Sequence, residues 1–364
     1  MKISEVIGIL NQWAPPAYQE SYDNSRLITG DPNQELKGVL ISLDCTEAVV
    51  REAIEQGCNM IVAHHPIVFK GLKSLTGKNY VERTVIQAIK NDIAIFSIHT
   101  NLDNVQTGVN YKIAKKIGLE QCQILAPKGE ILTKLTTFIP KAHTDEVLKA
   151  MHQAGAGEIG NYDHCSFSVE GTGRFRANES ANPHVGNKGE VHQENENRVE
   201  VIIPSYLQNK VLRALKKAHP YEEVAYYLSN LNNLNQEVGA GMVGKLPTPI
   251  PTKEFLQLLK DRFNLSVIKH TFIHTDTIEK VALCGGAGSF LLGTAKSSGA
   301  DIFITGDFKY HEFFDAEDSI IIADIGHYES EVFTKELIYD YLKEKIANIA
   351  LNFSKENTNP VKYF

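Results

Sequence analysis

The amino-acid sequence predicts an α/β protein in which an inserted α+β domain divides a larger α/β domain into two halves. Short apolar runs alternate with amphipathic helical segments in residues 1–129 and again in residues 240–364. The residues between them, 130–239, carry a different order of strands and helices. Because alternating strands and helices are typical of parallel sheets with right-handed crossovers, we expect a discontinuous α/β domain at 1–129 plus 240–364 and an inserted domain at 130–239.

The first half contains three apolar runs that predict buried strands, VLISL at 39–43, NMIVA at 59–63 and IAIFSIH at 93–99. Helical patterns over 46–57 and 81–91 separate them. A run that is apolar without alternation is typical of a strand that is covered on both faces. The first half is therefore predicted to form a parallel sheet.

The second half repeats this order with KVALC at 280–284, DIFIT at 301–305 and SIIIADI at 319–325. A long helix is predicted to begin around Tyr328. Open α/β sheets bind ligands at the carboxyl ends of their strands, and polar residues follow the strands in both halves. We therefore expect two half-sheets that converge on one site.

The middle region begins with the alternating strand TKLTTFIP at 133–140 and continues with a helix, two strands and a second helix. This order is typical of a ferredoxin-like α+β unit. The polar stretch 176–197 lacks apolar periodicity and is predicted to be an exposed loop. The segment 243–255, which contains three prolines, is predicted to be the connection back to the first domain.

The composition limits which binding partners and which cellular location are expected. A net charge of −7 with a pI of about 6.0 argues against nucleic acid as a partner, because phosphate backbones need a basic surface. The chain has no apolar run near the roughly 18 residues of a membrane span, so we expect no membrane partner. The five cysteines form no CxxC pair, which favours reduced thiols and a cytoplasmic location.

Two adjacent imidazoles, His64 and His65, follow the second predicted strand directly. Neutral histidine is the commonest metal ligand and suits zinc, iron or manganese. The pair alone is equally compatible with one core histidine and one surface histidine.

Two further segments carry ligand-type side chains. Asp103 follows the third strand and could bridge two cations, or cap the next helix; His99 beside it could bind a metal or orient a residue that does. His327 and Glu331 are four residues apart and would share one helix face, although exposed pairs at this spacing are common.

Taken together, His64, His65, Asp103, His327 and Glu331 offer three imidazoles and two carboxylates without a thiolate. This set is too large for a closed tetrahedral structural site. It suits two cations roughly 3.5–4 Å apart with open positions for water. The sequence therefore predicts a two-metal site, as against scattered structural roles for these residues.

The motifs AHHP, HTNLD and GHYESE, in this order and around an inserted domain, resemble the dinuclear-metal family of GTP cyclohydrolase 1 type 2 homologues. The opening WAPPAYQESYDNSRLITGD is also similar, except that Tyr22 stands where we expect tryptophan. The middle-region segments AGAGEIGNYDHCSF, GTGRF and HPYEEVAYY resemble the family's inserted domain, which is similar to the trimeric PII and CutA proteins. The resemblance covers the whole chain.

The resemblance implies that His64, His65, Asp103, His327 and Glu331 are the metal ligands, with His99 outside the ligand set in a supporting role. It implies two divalent ions per subunit, zinc first and iron or manganese as alternatives. It also implies a ring-shaped homohexamer whose inserted domains cap its openings.

The expected function is that of a metal-dependent hydrolase acting on a nucleotide or related heterocycle. Taken literally, the family name implies attack on the imidazole ring of GTP with release of formate. A two-metal phosphoesterase, a non-catalytic metal-binding sensor and a metal store remain alternatives, since function must be argued from the site.

Two more segments lie near the expected site. The loop GGAGS at 285–289 could bind a phosphate through its backbone amides, or could be a tight turn with close packing. Asp307, Lys309 and His311 could contact substrate, or could be helix-cap and surface groups.

Overall fold

The computed structural model describes residues 1–364, which form two compact units. The first unit comprises Met1–Ala126 and Glu237–Phe364, and the second comprises Pro127–Gln236. Several sheets and many helices alternate, so the protein is a mixed α/β structure. None of its helices combines the length and the apolar character that crossing a membrane would require.

The strands are numbered in chain order. They are β1 Leu27–Thr29, β2 Gly38–Ser42, β3 Met60–Ala63, β4 Ala94–Ser97, β5 Glu120–Lys128, β6 Leu132–Pro140, β7 Phe167–Arg176, β8 Val191–Pro204, β9 Tyr226–Leu231, β10 Asn235–Pro251, β11 Lys269–His270, β12 Thr277–Ala287, β13 Ile302–Gly306, β14 Ile321–Asp324 and β15 Ala350–Phe353.

The α-helices are numbered in the same way. They are α1 Ile3–Trp13, α2 Glu47–Glu55, α3 Tyr80–Lys90, α4 Thr100–Asp103, α5 Val109–Ile117, α6 Thr144–Gln153, α7 Gln208–Ala218, α8 Thr252–Phe263, α9 Leu292–Ser297, α10 His327–Glu331 and α11 Thr334–Lys345.

The first sheet of the first unit has the order β1-β4-β3-β2-β15. Strands β2, β3 and β4 are parallel neighbours, with Val39 opposite Met60 and Met60 opposite Ala94. Every residue of these three strands is buried. Strands that are covered on both faces need apolar side chains at every position, which is why their sequences lack alternation.

The second sheet has the order β11-β14-β13-β12-β10-β5, and β12, β13 and β14 are parallel. The predicted proline-rich connection is wrong here, since it forms part of β10, which pairs antiparallel with β12. The register shifts between Lys245 and Ile250, and Pro247 and Pro249 lie within that interval. Because proline cannot donate to a ladder, it is tolerated in a strand where pairing is interrupted.

The second unit contains one antiparallel sheet of order β7-β8-β6-β9. Helix α6 follows β6 and helix α7 follows β8, and side chains such as Val147, Val211 and Leu215 form a core with the sheet. The prediction of an exposed loop over 176–197 is wrong for its last residues, because β8 begins at Val191. Residues 191–195 alternate between exposed and half-buried positions, so this part of the strand carries no apolar pattern to identify it.

Candidate metal site

His64 and His65 continue directly from β3, and their backbone N–H groups donate to the carbonyls of Ser42, which ends β2, and Leu43, which follows it. The His64 ring is fully buried, and its Nδ1 donates to the carbonyl of Ile98 at 2.8 Å. The His65 Nδ1 donates to Asp44 Oδ1 at 2.7 Å. In both residues the Nδ1 contact turns the Nε2 atom towards a common space.

Asp103 ends the short helix α4, which follows β4. Its Oδ1 atom lies 3.5 Å from His64 Nε2. Neither atom is accessible to solvent, and neither has a hydrogen-bond partner. A buried imidazole nitrogen and carboxylate oxygen without partners are costly unless something binds between them.

His327 and Glu331 lie on α10, with His327 Nε2 3.1 Å from Glu331 Oε2. The long helix predicted from Tyr328 is wrong, because α10 ends at Glu331 and α11 begins at Thr334. The His327 Nδ1 donates to Asp307 Oδ2 at 2.7 Å. Asp307 has a φ of +58°, a left-handed conformation that costs an L-residue roughly 1–2 kcal/mol.

The Glu331 carboxylate joins the two histidine segments. Its Oε2 atom lies 2.9 Å from His65 Nε2, and its Oε1 atom lies 3.9 Å from His64 Nε2. One group of side chains that could hold a metal ion is His65, His327 and Glu331, and another is His64, Asp103 and Glu331; within each, the ligand atoms lie within 4.8 Å of one another. The structure therefore brings all five predicted residues together, while their role as ligands stays a prediction.

The electrostatics of the cluster suit a cation. Burial, and then repulsion by Glu331, raise the pKa of Asp103 to about 7. Burial lowers the pKa of His65, but hydrogen bonds to Asp44 and Glu331 outweigh it and raise the pKa to about 10. Burial also raises the pKa of Glu331, yet the three surrounding imidazoles hold it well below its usual range. These buried carboxylates thus depend on positive charge beside them.

His99 lies beside the cluster, as a supporting residue would. Its ring centroid is 5.2 Å from that of His64, and its Nδ1 donates to Asp23 Oδ1 at 2.8 Å. His64, His65 and His99 form a third group whose nitrogens could hold a metal ion. Geometry therefore allows both interpretations of His99, as a supporting residue and as a ligand.

The glycine loop after Cys284 is part of β12 and is not the start of a helix, since β12 continues to Ala287. Its amides already have acceptors: Gly285 N donates to Asn110, Gly286 N to Ser330 and Gly288 N to Thr305. A Cβ on Gly286 would lie 2.4 Å from Glu331 Oε1. The loop thus packs closely against the Glu331 carboxylate, which agrees with its interpretation as a tight turn with close packing.

Asp44 was not among the predicted site residues, and Asp307 was predicted only as a substrate contact or surface group. Both follow a strand, as the predicted ligands do, and that position is the signal that could have found them. Asp44 also accepts a hydrogen bond from Thr358. Lys309 and His311, which were considered together with Asp307, are exposed and do not line the cavity that holds the cluster.

Replacing Asp44 with alanine is expected to weaken metal binding roughly 10–100-fold, because it removes the acceptor that orients His65. Zinc affinity would be measured by competition with a chromophoric chelator. The matched control is Asp315→Ala, an exposed carboxylate in the same unit. Equal affinities for the two variants would contradict the orienting role of Asp44.

Comparison with known proteins places the whole chain in one family. The model of the Duf34/NIF3 (NGG1p interacting factor 3) family matches residues 1–360. A Halalkalibacterium halodurans protein named "GTP cyclohydrolase 1 type 2 homolog" is 37% identical over 100% of both chains. A Bacillus subtilis protein of the same name is 34% identical over 99% of this chain and 98% of its own.

Solved structures agree with this assignment. The crystal structure of a Bacillus cereus protein related to NIF3 is 37% identical and has a TM-score of 0.88, covering 100% of this chain and 99% of that one. With the fold, the full-length relatives and the family model in agreement, the chain is a member of the Duf34/NIF3 (NGG1p interacting factor 3) family.

Proposed function

We propose that the protein is a metal-dependent hydrolase that acts on a nucleotide or related heterocycle. The ligands are His64, His65, Asp103, His327 and Glu331, and they hold two divalent ions, with zinc as the first choice. The observation that carries the proposal is the position of Glu331, whose two carboxylate oxygens face different imidazoles in one cavity. A carboxylate in this position can serve two cations at once.

The chemical types of these five side chains suit the proposed divalent ions. Imidazole and carboxylate ligands suit zinc, and iron or manganese could bind the same set. His64 Nε2 and Asp103 Oδ1, which are buried without partners, are the atoms that most need a cation. Bound divalent ions would supply Lewis acidity, which makes water a stronger nucleophile near neutral pH.

The residues around the ligands hold these atoms in place. Asp44, Asp307 and the Ile98 carbonyl each accept a hydrogen bond from the Nδ1 of one ligand histidine. With Nδ1 engaged in this way, each ring presents Nε2 to the cluster. Such contacts fix the orientation of a ligand before the ion binds.

The middle unit supports a further part of the proposal. Its strands and helices follow the order β-α-β-β-α-β, with the first strand between the third and the fourth. This is the ferredoxin-like order, and we propose a PII/CutA-like insertion in a cytoplasmic homohexamer. In the alternative function, the insertion is a ligand sensor and the metal site binds its ions without catalysis.

The names of the relatives support a nucleotide heterocycle as substrate, whereas the donor set alone suits phosphoester hydrolysis equally well. The test is to measure metal content and to assay metal-loaded and stripped protein with guanosine, GTP, other nucleotides and phosphodiesters. We expect turnover that requires metal and is lost in Glu331→Ala and His65→Ala but kept in His311→Ala, an exposed histidine of the same unit.

Two results would argue against the hydrolase. Stoichiometric metal without turnover on any of these substrates would favour the sensor. Full metal content after combined replacement of His64, His65 and Asp103 would show that the ligands are wrongly assigned.

A further inference from the structure

The cavity around the metal cluster is lined by several carboxylates and histidines, and by no lysine or arginine. The cavity has a volume of about 720 Å³, and its walls include the carboxylates of Glu20, Asp44, Asp103 and Glu331. Proteins commonly bind phosphate chains with arginine, which forms a fork of N–H donors, and with lysine, which acts as a point charge. Neither residue type lines this cavity.

The glycine-rich loop at the cavity has most of its amides engaged within the protein. Free amides of a glycine-rich loop can hold a phosphate, and residues 285–288 are the glycine-rich loop at this cavity. The amides of Gly285, Gly286 and Gly288 each donate to a side-chain oxygen of the protein. Binding a phosphate there would require breaking these hydrogen bonds.

The outer part of the cavity is aromatic. Tyr22, Phe69, Tyr80 and Phe290 line it and are between 48% and 69% exposed. The rings of Tyr22 and Phe69 lie at 20° to one another with their centroids 6.4 Å apart. Exposed aromatic rings around a polar centre are suited to stacking on a flat ligand.

We propose that the substrate is an unphosphorylated planar heterocycle of the nucleobase or nucleoside class, bound against these four aromatic side chains. The inference rests on the proposed function. When the reacting ring atom lies at the ligand cluster, a triphosphate on the same molecule extends away from the ions. Beyond the ligand cluster it then meets carboxylates and aromatic rings, with no lysine or arginine to offset its charge.

The test compares guanosine, GMP and GTP as substrates of the zinc-loaded protein, with formate release and substrate loss as readouts. Free zinc is buffered, and metal content is measured again after exposure to GTP, because triphosphates chelate zinc. We expect kcat/KM to fall from guanosine to GTP by roughly tenfold or more, a difference of about 1.4 kcal/mol. An equal or higher value for GTP would overturn the inference.

Variants test the contact surface itself. Phe290→Leu is expected to lower kcat/KM for guanosine about tenfold, since it removes an aromatic ring on which the base stacks. The matched control is Phe314→Leu, because Phe314 is 65% exposed and does not line the cavity. Tyr80→Lys is expected to raise the ratio of GTP to guanosine turnover roughly tenfold by placing a cation at the cavity.

Binding separates this inference from the proposed function. If no substrate turns over, calorimetry with guanosine and GTP still tests the inference: tighter guanosine binding, weakened by Phe290→Leu, supports it although the hydrolase proposal fails. Faster turnover of GTP contradicts the inference and leaves the hydrolase proposal intact. Binding of neither ligand, or turnover of bis(p-nitrophenyl) phosphate alone, overturns the inference.

Discussion

Replacing Glu331 with alanine is expected to abolish binding of both metal ions, whereas His327→Ala should weaken only one of the two sites. Glu331 belongs to both groups that contain a carboxylate, while His327 belongs to one. Loss of Glu331 removes the oxygen 2.9 Å from His65 Nε2 and the oxygen 3.9 Å from His64 Nε2. Metal per chain would be measured by mass spectrometry after dialysis of the purified variants.

The control for this prediction is His311→Ala, which removes an exposed histidine of the same unit that does not line the cavity. Circular dichroism should show that all three variants remain folded. Retention of both ions by Glu331→Ala would mean that its carboxylate does not serve two cations. Equal loss from Glu331→Ala and His327→Ala would mean that the two ions bind as a single cooperative unit.

The second prediction concerns the sheet that supports α10. Phe303→Ala is expected to lower the free energy of unfolding of the first unit by roughly 3–5 kcal/mol. Phe303 is fully buried on β13 and lies in one core cluster with Phe308, whose ring centroid is 6.3 Å away. Removal of the ring leaves a cavity in a sheet whose neighbouring strands cannot move to fill it.

Trp13 offers a fluorescence signal for this measurement. It is the only tryptophan of the chain, it lies in the first unit, and its ring stacks on Tyr341 with centroids 4.2 Å apart. Denaturant titration followed by tryptophan fluorescence therefore reports on the first unit and not on the second. The control is Phe272→Ala, since Phe272 is 72% exposed, and comparable midpoints for both variants would contradict the prediction.

Much of the first unit could be predicted because buried parallel strands have a distinctive sequence. The segments at 39–43, 59–63 and 93–99 correspond to β2, β3 and β4, and those at 280–284, 301–305 and 319–325 correspond to β12, β13 and β14. Five of these strands are buried along their whole length, as is the stretch 281–284 of β12, and such strands are predominantly apolar. The family could also be predicted, because the motifs AHHP, HTNLD and GHYESE are local stretches of sequence that need no tertiary information. The match to the family model confirms this prediction.

The errors lie where local sequence carries little information. The start of β8 has no apolar pattern, and the prolines of β10 favour a loop until the partner strand β12 is known. The break after Glu331 ends α10 within what the sequence presents as one long helix. In each case tertiary pairing or packing, and not propensity, decides the structure.

The sequence by itself determined which residue types stand at the strand ends: adjacent histidines after β3, an aspartate after β4, and a histidine and glutamate after β14. Only the tertiary structure decided how they meet. The partnership of Asp44 with His65, that of Asp307 with His327, and the reach of Glu331 to His65 each join atoms from distant segments. Such contacts depend on distances and angles between packed elements, and the periodicity of the sequence does not encode this geometry.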